Sequence, residues 1–79
     1  MHSKQLGSLI TFHRKRASLS QADLAKHANV SRYVVQNLES GTGKTTWKSL
    51  EAVLVVLNLR LEPEGPLVGE WRRKLDEES

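Results

Sequence analysis

Residues 20–40, which read SQADLAKHANVSRYVVQNLES, decide the fold of this chain. Apolar residues at helical spacing predict two short helices here, at about 21–28 and 32–40. Asn29 lies between them, where a sharp turn needs a positive φ angle, and Asn adopts this conformation more readily than most residues other than Gly. Neither helix has more than three core-facing residues, so we expect the pair to pack at a fixed angle against the rest of the chain.

The capping residues fit the same two helices. Ser20 and Ser31 each precede a helix as N-cap residues, and Gly41 follows the second helix as a stop signal. Asp23, three residues after Ser20, can complete a capping box. Two short helices joined by a sharp turn form a helix-turn-helix, a motif whose second helix lies in the DNA major groove. The pattern therefore predicts a function as well as a fold.

Length and composition indicate one domain and exclude several classes of protein. The chain has 79 residues, no cysteine and a net charge of +3. A chain of this size buries only about 60% of its unfolded surface, so a partner subunit is expected. The absence of cysteine excludes disulfides and thiolate metal sites, and the predicted location is the cytoplasm. There is no signal-peptide pattern, and no apolar run is long enough to span a membrane.

Charge is distributed unevenly along the chain. Residues 1–48 contain eight basic and two acidic residues, a balance of +6, whereas residues 49–79 contain four basic and seven acidic residues, a balance of −3. The positive part includes the two-helix motif. A basic region attracts polyanions, of which the nucleic-acid backbone is the commonest, although an ordinary solvated surface fits the counts equally well.

Two further helices are predicted beside the motif. The first covers about residues 4–16, and the fourth begins near Thr46 and continues to about residue 57. A polar loop, residues 41–45, precedes the fourth helix. The residues predicted to face the core are Leu6, Ile10, His13 and Ala17 in the first helix, and Trp47, Leu50, Leu54 and Leu57 in the fourth.

The segment after the fourth helix predicts a dimer. Residues 59–62 alternate apolar and polar side chains, as a short half-buried strand does. The sequence offers no second strand, so we expect pairing with the same strand of a second copy about a two-fold axis. The fourth helix is apolar nearly all round, which also favours a covering subunit. The predicted dimer interface consists of Val55, Val56, Leu59 and Leu61.

The predicted fold class is all-α, with four or five helices and a short C-terminal strand paired across the dimer. Residues 1–62 form the predicted DNA-binding domain, which includes this strand, and residues 63–79 form a tail. The tail is either a loose charged segment or an amphipathic helix with Val68, Trp71 and Leu75 on one side.

Hydrogen-bonding groups are concentrated on one arc of the second helix of the motif. Arg can bind guanine with two hydrogen bonds, and Gln or Asn can bind adenine in the same way. Gln21 opens the first helix of the motif, where backbone amides favour a phosphate, and Lys44 in the polar loop can bind another. A merely solvated helix face is the alternative. The residues predicted to contact DNA are Gln21, Ser31, Arg32, Tyr33, Gln36, Asn37, Ser40 and Lys44.

Other chemistry finds little support in the sequence. Residues 43–45, Gly-Lys-Thr, end like a phosphate-binding loop, but the position of that loop's first glycine is Leu38, inside a predicted helix. The three histidines do not have metal-ligand spacing, and no serine, histidine and acid are arranged for catalysis. We therefore expect no cofactor, no metal and no enzymatic activity. Arg14 and Glu39, each at the edge of an inner face, are predicted to form an ion pair.

Many of these residues follow one another in a familiar order. They are Leu6, Ile10, Arg14, Leu19-Ser20-Gln21, Leu24-Ala25, Val30-Ser31, Val35, Leu38-Glu39, Gly41, Leu50 and Leu54. Over about residues 5–62, the chain resembles XRE-type helix-turn-helix proteins, which have the lambda repressor-like fold. Residues 41–61 are most similar to the HipB-like antitoxin subgroup, in which a strand after the last helix pairs across a dimer. Asn29 and Trp47 depart from the family pattern, which usually has glycine and leucine there.

The resemblance implies roles for individual residues. Gln21 would contact phosphate and Ser31 would cap the recognition helix, whose reading residues would be Arg32, Tyr33, Gln36 and Asn37. It also implies an Arg14–Glu39 pair, a dimer that binds operator DNA, and a kinase-like HipA-type toxin as a second partner.

Three functions are compatible with the sequence. The leading hypothesis is a dimeric transcriptional repressor that binds a palindromic operator, as the antitoxin of a toxin–antitoxin pair. A phage-type repressor without a toxin is the second. The third is a protein-interaction module that uses Phe12, Trp71 and the acidic C-terminal half.

Overall fold

Five α-helices account for most of residues 1–78, the part of the chain that the computed structural model describes. The first three helices start and end within one residue of the sequence prediction, and the tail forms a fifth helix. The helices are α1 (Ser3–Arg16), α2 (Gln21–Ala28), α3 (Arg32–Ser40), α4 (Trp47–Val56) and α5 (Val68–Glu78).

Hydroxyl side chains cap three of the helices. The Ser20 hydroxyl accepts a hydrogen bond from the Asp23 backbone N–H (3.0 Å), and the Asp23 carboxylate accepts one from the Ser20 N–H (3.0 Å), which completes the predicted capping box. The Ser31 hydroxyl accepts from the Val34 N–H at 3.2 Å, and Thr46 caps α4 in the same way. Each such cap stabilises its helix by about 1 kcal/mol.

The turn between α2 and α3 has the predicted geometry. Asn29 is left-handed, with φ 56° and ψ 43°, and the Val30 N–H donates to the Ala25 carbonyl oxygen at 3.0 Å. Gly41, at φ 73°, ends α3 in the same conformation. These two residues reverse the chain direction sharply on either side of α3, which places α3 at the surface of the motif.

The core is formed by α1 to α4. Ile10, Leu24, Val35 and Val53 are fully buried, one from each of these helices. No residue of α5 within the described range is buried. The other buried apolar residues are Ala25, Ala28, Leu38, Leu50 and Leu54.

Two predictions for the core were wrong. Ala17 is exposed because it is the C-cap of α1 and no longer part of the helix. Trp47 is 61% exposed because it is the first residue of α4, at the edge of the core, whereas Val53 in the middle of α4 is fully buried. The inner face of α4 therefore contains Leu50, Val53 and Leu54.

The predicted strand at residues 59–62 is absent from the described chain. This segment is neither helix nor strand, and residues 1–78 contain no strand that could pair with it. Leu59 packs against the core, and its N–H donates to the Leu54 carbonyl oxygen at 2.8 Å. The alternation of apolar and polar residues here thus reflects a loop packed on one side, without the backbone pairing that defines a strand.

Candidate nucleic-acid interface

The polar arc of α3 lies at the surface. Arg32, Tyr33 and Gln36 are exposed, and Tyr33 retains 67% of its accessible area, while Val35 and Leu38 on the opposite side are buried. This division is the amphipathic arrangement that lets a helix be anchored on one side and enter a groove with the other. Ser31, the N-cap of α3, is exposed at the same end of the helix as Arg32.

The C-terminal end of α3 is less open than the sequence indicated. Asn37 is half-buried, and its carbonyl oxygen accepts hydrogen bonds from the hydroxyls of Ser40 (3.2 Å) and Thr42 (3.4 Å). The Ser40 hydroxyl proton is therefore already engaged within the chain, although the side chain is exposed. The groups most available for reading bases are those in the first half of α3.

A side-chain network fixes α3 against the two helices before it. The Arg14 guanidinium, from α1, donates to both carboxylate oxygens of Glu39 on α3, at 2.5 Å from Nε and 3.1 Å from Nη2. Arg14 also donates through Nη1 to the Leu19 carbonyl oxygen at 2.8 Å. The Gln21 amide, at the start of α2, donates to Glu39 at 3.1 Å. The predicted Arg14–Glu39 pair is confirmed, and its side chains are only 11% and 8% exposed.

The network shifts the pKa of both charged members. Burial by itself would raise the pKa of Glu39, but hydrogen bonds from Arg14 and Gln21 outweigh it and hold the pKa below its ordinary value. The hydrogen bond to Glu39 raises the pKa of Arg14, against the smaller opposing effect of burial. Both groups are therefore charged near neutral pH, and the pair links α1 to α3 as a fixed ionic bridge.

The same network restricts Gln21, which the sequence assigned to a phosphate contact. Its amide nitrogen already donates to Glu39. A phosphate at this position would be bound by the second hydrogen of that nitrogen and by the free backbone N–H groups in the first turn of α2. Because Glu39 orients it, the Gln21 side chain lies in place before any ligand binds.

A basic edge follows α3. Lys44 is exposed in the loop after this helix, and its backbone N–H donates to the Thr42 hydroxyl at 3.2 Å. A Cβ atom placed on Gly41 would lie 2.8 Å from the Cα atom of Lys4, so the first turn of α1 lies directly against this loop. Lys4 is therefore a second exposed basic residue next to the loop that contains Lys44. The sequence offered no signal for Lys4, because the contact joins segments far apart along the chain.

The described residues offer little for other ligands. Among residues 1–78, no cluster of three or more His, Cys, Asp or Glu side chains could hold a metal ion. His13, half-buried in α1, has Nδ1 at 2.8 Å from the Leu9 carbonyl oxygen. No helix in this part of the chain has the length and apolar character needed to cross a membrane.

Comparison with known proteins supports the motif. A family model described as a helix-turn-helix domain matches residues 5–64. The chain is also similar to the ImmF control region 10 kDa protein of Bacillus phage phi105, with 33% identity over 61 residues that cover 77% of this chain and 68% of the phage protein. Neither match identifies the HipB-like subgroup. The fold, the exposed arc of α3 and the extent of the family match together show that this chain belongs to the helix-turn-helix domain family.

Proposed function

We propose that the protein is a sequence-specific transcriptional regulator that binds a palindromic operator as a homodimer and represses transcription from it. The observation that carries the proposal is the exposed arc of α3, with Arg32, Tyr33 and Gln36 beside the basic edge at Lys44. The exposed arc of α3 supplies hydrogen-bonding groups for the edges of the bases, and the basic edge supplies positive charge for the phosphates. In this proposal the protein binds DNA and catalyses no reaction.

Symmetry is the reason for proposing a dimer. Two recognition helices related by a two-fold axis enter major grooves about 34–36 Å apart, which gives a palindromic site its affinity. Of the four residues assigned to the interface, Val55 is 73% and Leu61 39% exposed, and both would be covered by a second subunit. Val56 and Leu59 are half-buried against the core and would form the floor of the contact.

Substitutions on α3 test base recognition. An operator is first selected from random duplex DNA with the intact protein. We expect Arg32→Ala and Gln36→Ala each to reduce the affinity for that operator by roughly 5- to 150-fold per half-site, since a bidentate base contact is worth about 1–3 kcal/mol and the dimer loses it at both half-sites. Affinity for unrelated DNA changes far less with Gln36→Ala, because that side chain is uncharged. Fluorescence anisotropy at fixed salt measures both affinities.

Lys44→Ala is the matched control for the phosphate contact. It should weaken binding to operator and unrelated DNA by similar factors and make the dependence of affinity on salt shallower by about one unit of slope per subunit, or about two for the dimer. Thermal unfolding of all three variants should match that of the intact protein, because the substituted side chains are exposed. A preference for operator that is unaltered by both α3 substitutions would contradict the proposed reading helix.

The biological setting has two candidates. Similarity to a phage control-region protein favours a phage-type regulator that acts without a toxin. The antitoxin form, in which the same dimer also holds a HipA-type kinase, is based on the resemblance of residues 41–61 to HipB-like proteins. Co-expression with the adjacent reading frame separates them, because only the antitoxin form predicts a stable complex with a kinase-like product.

A further inference from the structure

The chain exposes more surface than a compact monomer of its size. Its accessible area is 6068 Å², whereas a compact protein of this mass exposes about 4,800 Å². Its radius of gyration is 14.6 Å, against about 12 Å for a compact domain of this length. The excess area is about 1,250 Å², more than the roughly 800 Å² that each partner contributes to a stable interface of standard size.

Large apolar side chains are exposed on α5 and in the turn before it. Leu67 is 70% exposed and Trp71 48% exposed, and they stand one helical turn apart, next to Val68. We call these three residues the α5 ridge. With Pro63, Gly65 and Pro66 they line an apolar concavity of about 570 Å³. A tryptophan and a leucine exposed side by side on a short helix indicate a surface that a partner covers.

A second exposed apolar surface lies on α4. Trp47 is 61% and Val55 73% exposed, and with Leu61 they line a groove of about 260 Å³ between α4 and the segment that follows it. Three charged residues, Glu51, Arg60 and Glu62, lie at the rim of this groove. We call it the α4 groove. It includes two of the residues assigned above to the dimer interface, Val55 and Leu61.

The ridge and the groove are both exposed within one chain, so α5 does not cover the groove of its own subunit. Arg72, one residue after Trp71, pairs with Glu62 at 2.9 Å, and this ion pair is itself half exposed. It fixes the start of α5 beside the groove without filling the groove. Another molecule is needed to cover either surface.

We propose that α5 of each protomer packs with its ridge in the α4 groove of a second copy, so that exchanged C-terminal helices close the dimer. Each copy carries one ridge and one groove, and a two-fold axis therefore produces two identical contacts. The inference rests on the dimer in the proposed function but is independent of DNA binding.

Charge supports a second copy as the occupant. Glu70 and Lys74 lie on the same side of α5 as Leu67 and Trp71, and the rim of the groove offers Arg60 and Glu51 as counterparts of opposite charge. DNA is a poor occupant, since α5 itself has four acidic and three basic residues. Complementary charges at the edge of an apolar contact fix its register and disfavour unrelated partners.

Disulfide trapping tests the exchanged contact directly, because the chain has no cysteine of its own. Glu51→Cys and Lys74→Cys are prepared separately on chains that differ in mass through a tag, then mixed and oxidised. We expect a disulfide between unlike chains to dominate over either homodisulfide. Lys15→Cys on α1, mixed with Lys74→Cys, is the matched control and should give little product. A dominant 74–74 disulfide, or no disulfide at all, would overturn the exchange.

Truncation of the ridge gives an independent measurement. Trp71→Ala should raise the dimer dissociation constant, measured by sedimentation equilibrium, about 30-fold for each of the two contacts, or roughly 900-fold in all, as expected for a buried anchor residue of an interface. Phe12→Ala removes another exposed aromatic side chain, 56% exposed on α1, and should leave the constant unchanged. An unaltered constant in Trp71→Ala, or a full-length protein that is monomeric at about 100 μM, contradicts the inference.

Operator binding by the same samples separates the two proposals. A protein that dimerises through the 51–74 contact but prefers no DNA sequence would refute the proposed function and leave this inference standing. A protein that binds its operator as a dimer without the 51–74 disulfide, and whose dimer tolerates Trp71→Ala, would refute this inference and leave the proposed function standing.

Discussion

Replacing Glu39 by alanine should lower the free energy of unfolding by about 3 kcal/mol, because it leaves a buried guanidinium without its counter-ion. The Arg14 side chain is 11% exposed, and after the substitution its remaining hydrogen bond is the one to the Leu19 carbonyl oxygen. For a domain of this size, that loss corresponds to a fall in Tm of roughly 10–20 °C. Denaturant unfolding followed by circular dichroism measures it.

The double variant Arg14→Met, Glu39→Leu is the control for this prediction. Replacing both members of a buried pair by apolar residues of similar volume is often neutral or stabilising. We therefore expect the double variant to recover most of the stability lost in Glu39→Ala. If it were as unstable as the sum of the single variants Arg14→Met and Glu39→Leu, the two side chains would have no energetic coupling, and the explanation from an unpaired charge would be wrong.

Acid should weaken the folded state through the same carboxylate. Because the folded-state pKa of Glu39 is lowered, the unfolded chain takes up this proton at a higher pH than the folded one does. The stabilisation is complete above the unfolded pKa and disappears as the pH falls through the folded pKa. Glu39→Gln should have a shallower loss of stability between about pH 5 and pH 3. The pH dependence of stability that remains in this variant includes a contribution from Asp23, whose pKa is lowered by the hydrogen bond from the Ser20 backbone N–H.

Local signals in the sequence determined the first three helices and the turn. Capping hydrogen bonds and left-handed backbone angles involve residues that are only a few positions apart, so they can be predicted from the sequence alone. The residues concerned are Ser20, Asn29, Ser31 and Gly41. The Arg14–Glu39 pair was also predictable, because both residues lie at the edges of apolar stripes that face one another. The exposed arc of α3 followed from the same periodicity.

What the sequence did not reveal depends on the ends of elements and on contacts between distant segments. Trp47 fits the apolar period of α4 as well as Val53 does, and only the position of the helix end in the fold decides which of them is buried. Lys4 joins the basic edge through the contact of α1 with Gly41. The alternation at residues 59–62 predicts a strand, although the segment is a packed loop, because a packed loop and a strand share one pattern.

Gly7→Ala should lower the free energy of unfolding by about 3 kcal/mol, since overpacking a close contact typically costs about 1–3 kcal/mol and here the obstacle is backbone. Gly7 is buried in α1, and a Cβ atom at this position would lie 2.5 Å from the Glu39 carbonyl oxygen and 2.6 Å from that of Leu38. No side-chain rotation relieves these contacts, so α1 and α3 must separate. The loss exceeds the gain of about 1 kcal/mol in helix propensity.

Gly69→Ala is the matched control, because a Cβ atom on this α5 residue meets nothing within 4 Å. It should increase helicity without lowering the free energy of unfolding.

Separation of α1 from α3 also lengthens the Arg14–Glu39 contact, so the losses in Gly7→Ala and Glu39→Ala should overlap. The double variant is then less destabilised than the sum of the single variants. Strict additivity would show that the close approach at Gly7 and the ion pair hold α3 in place independently.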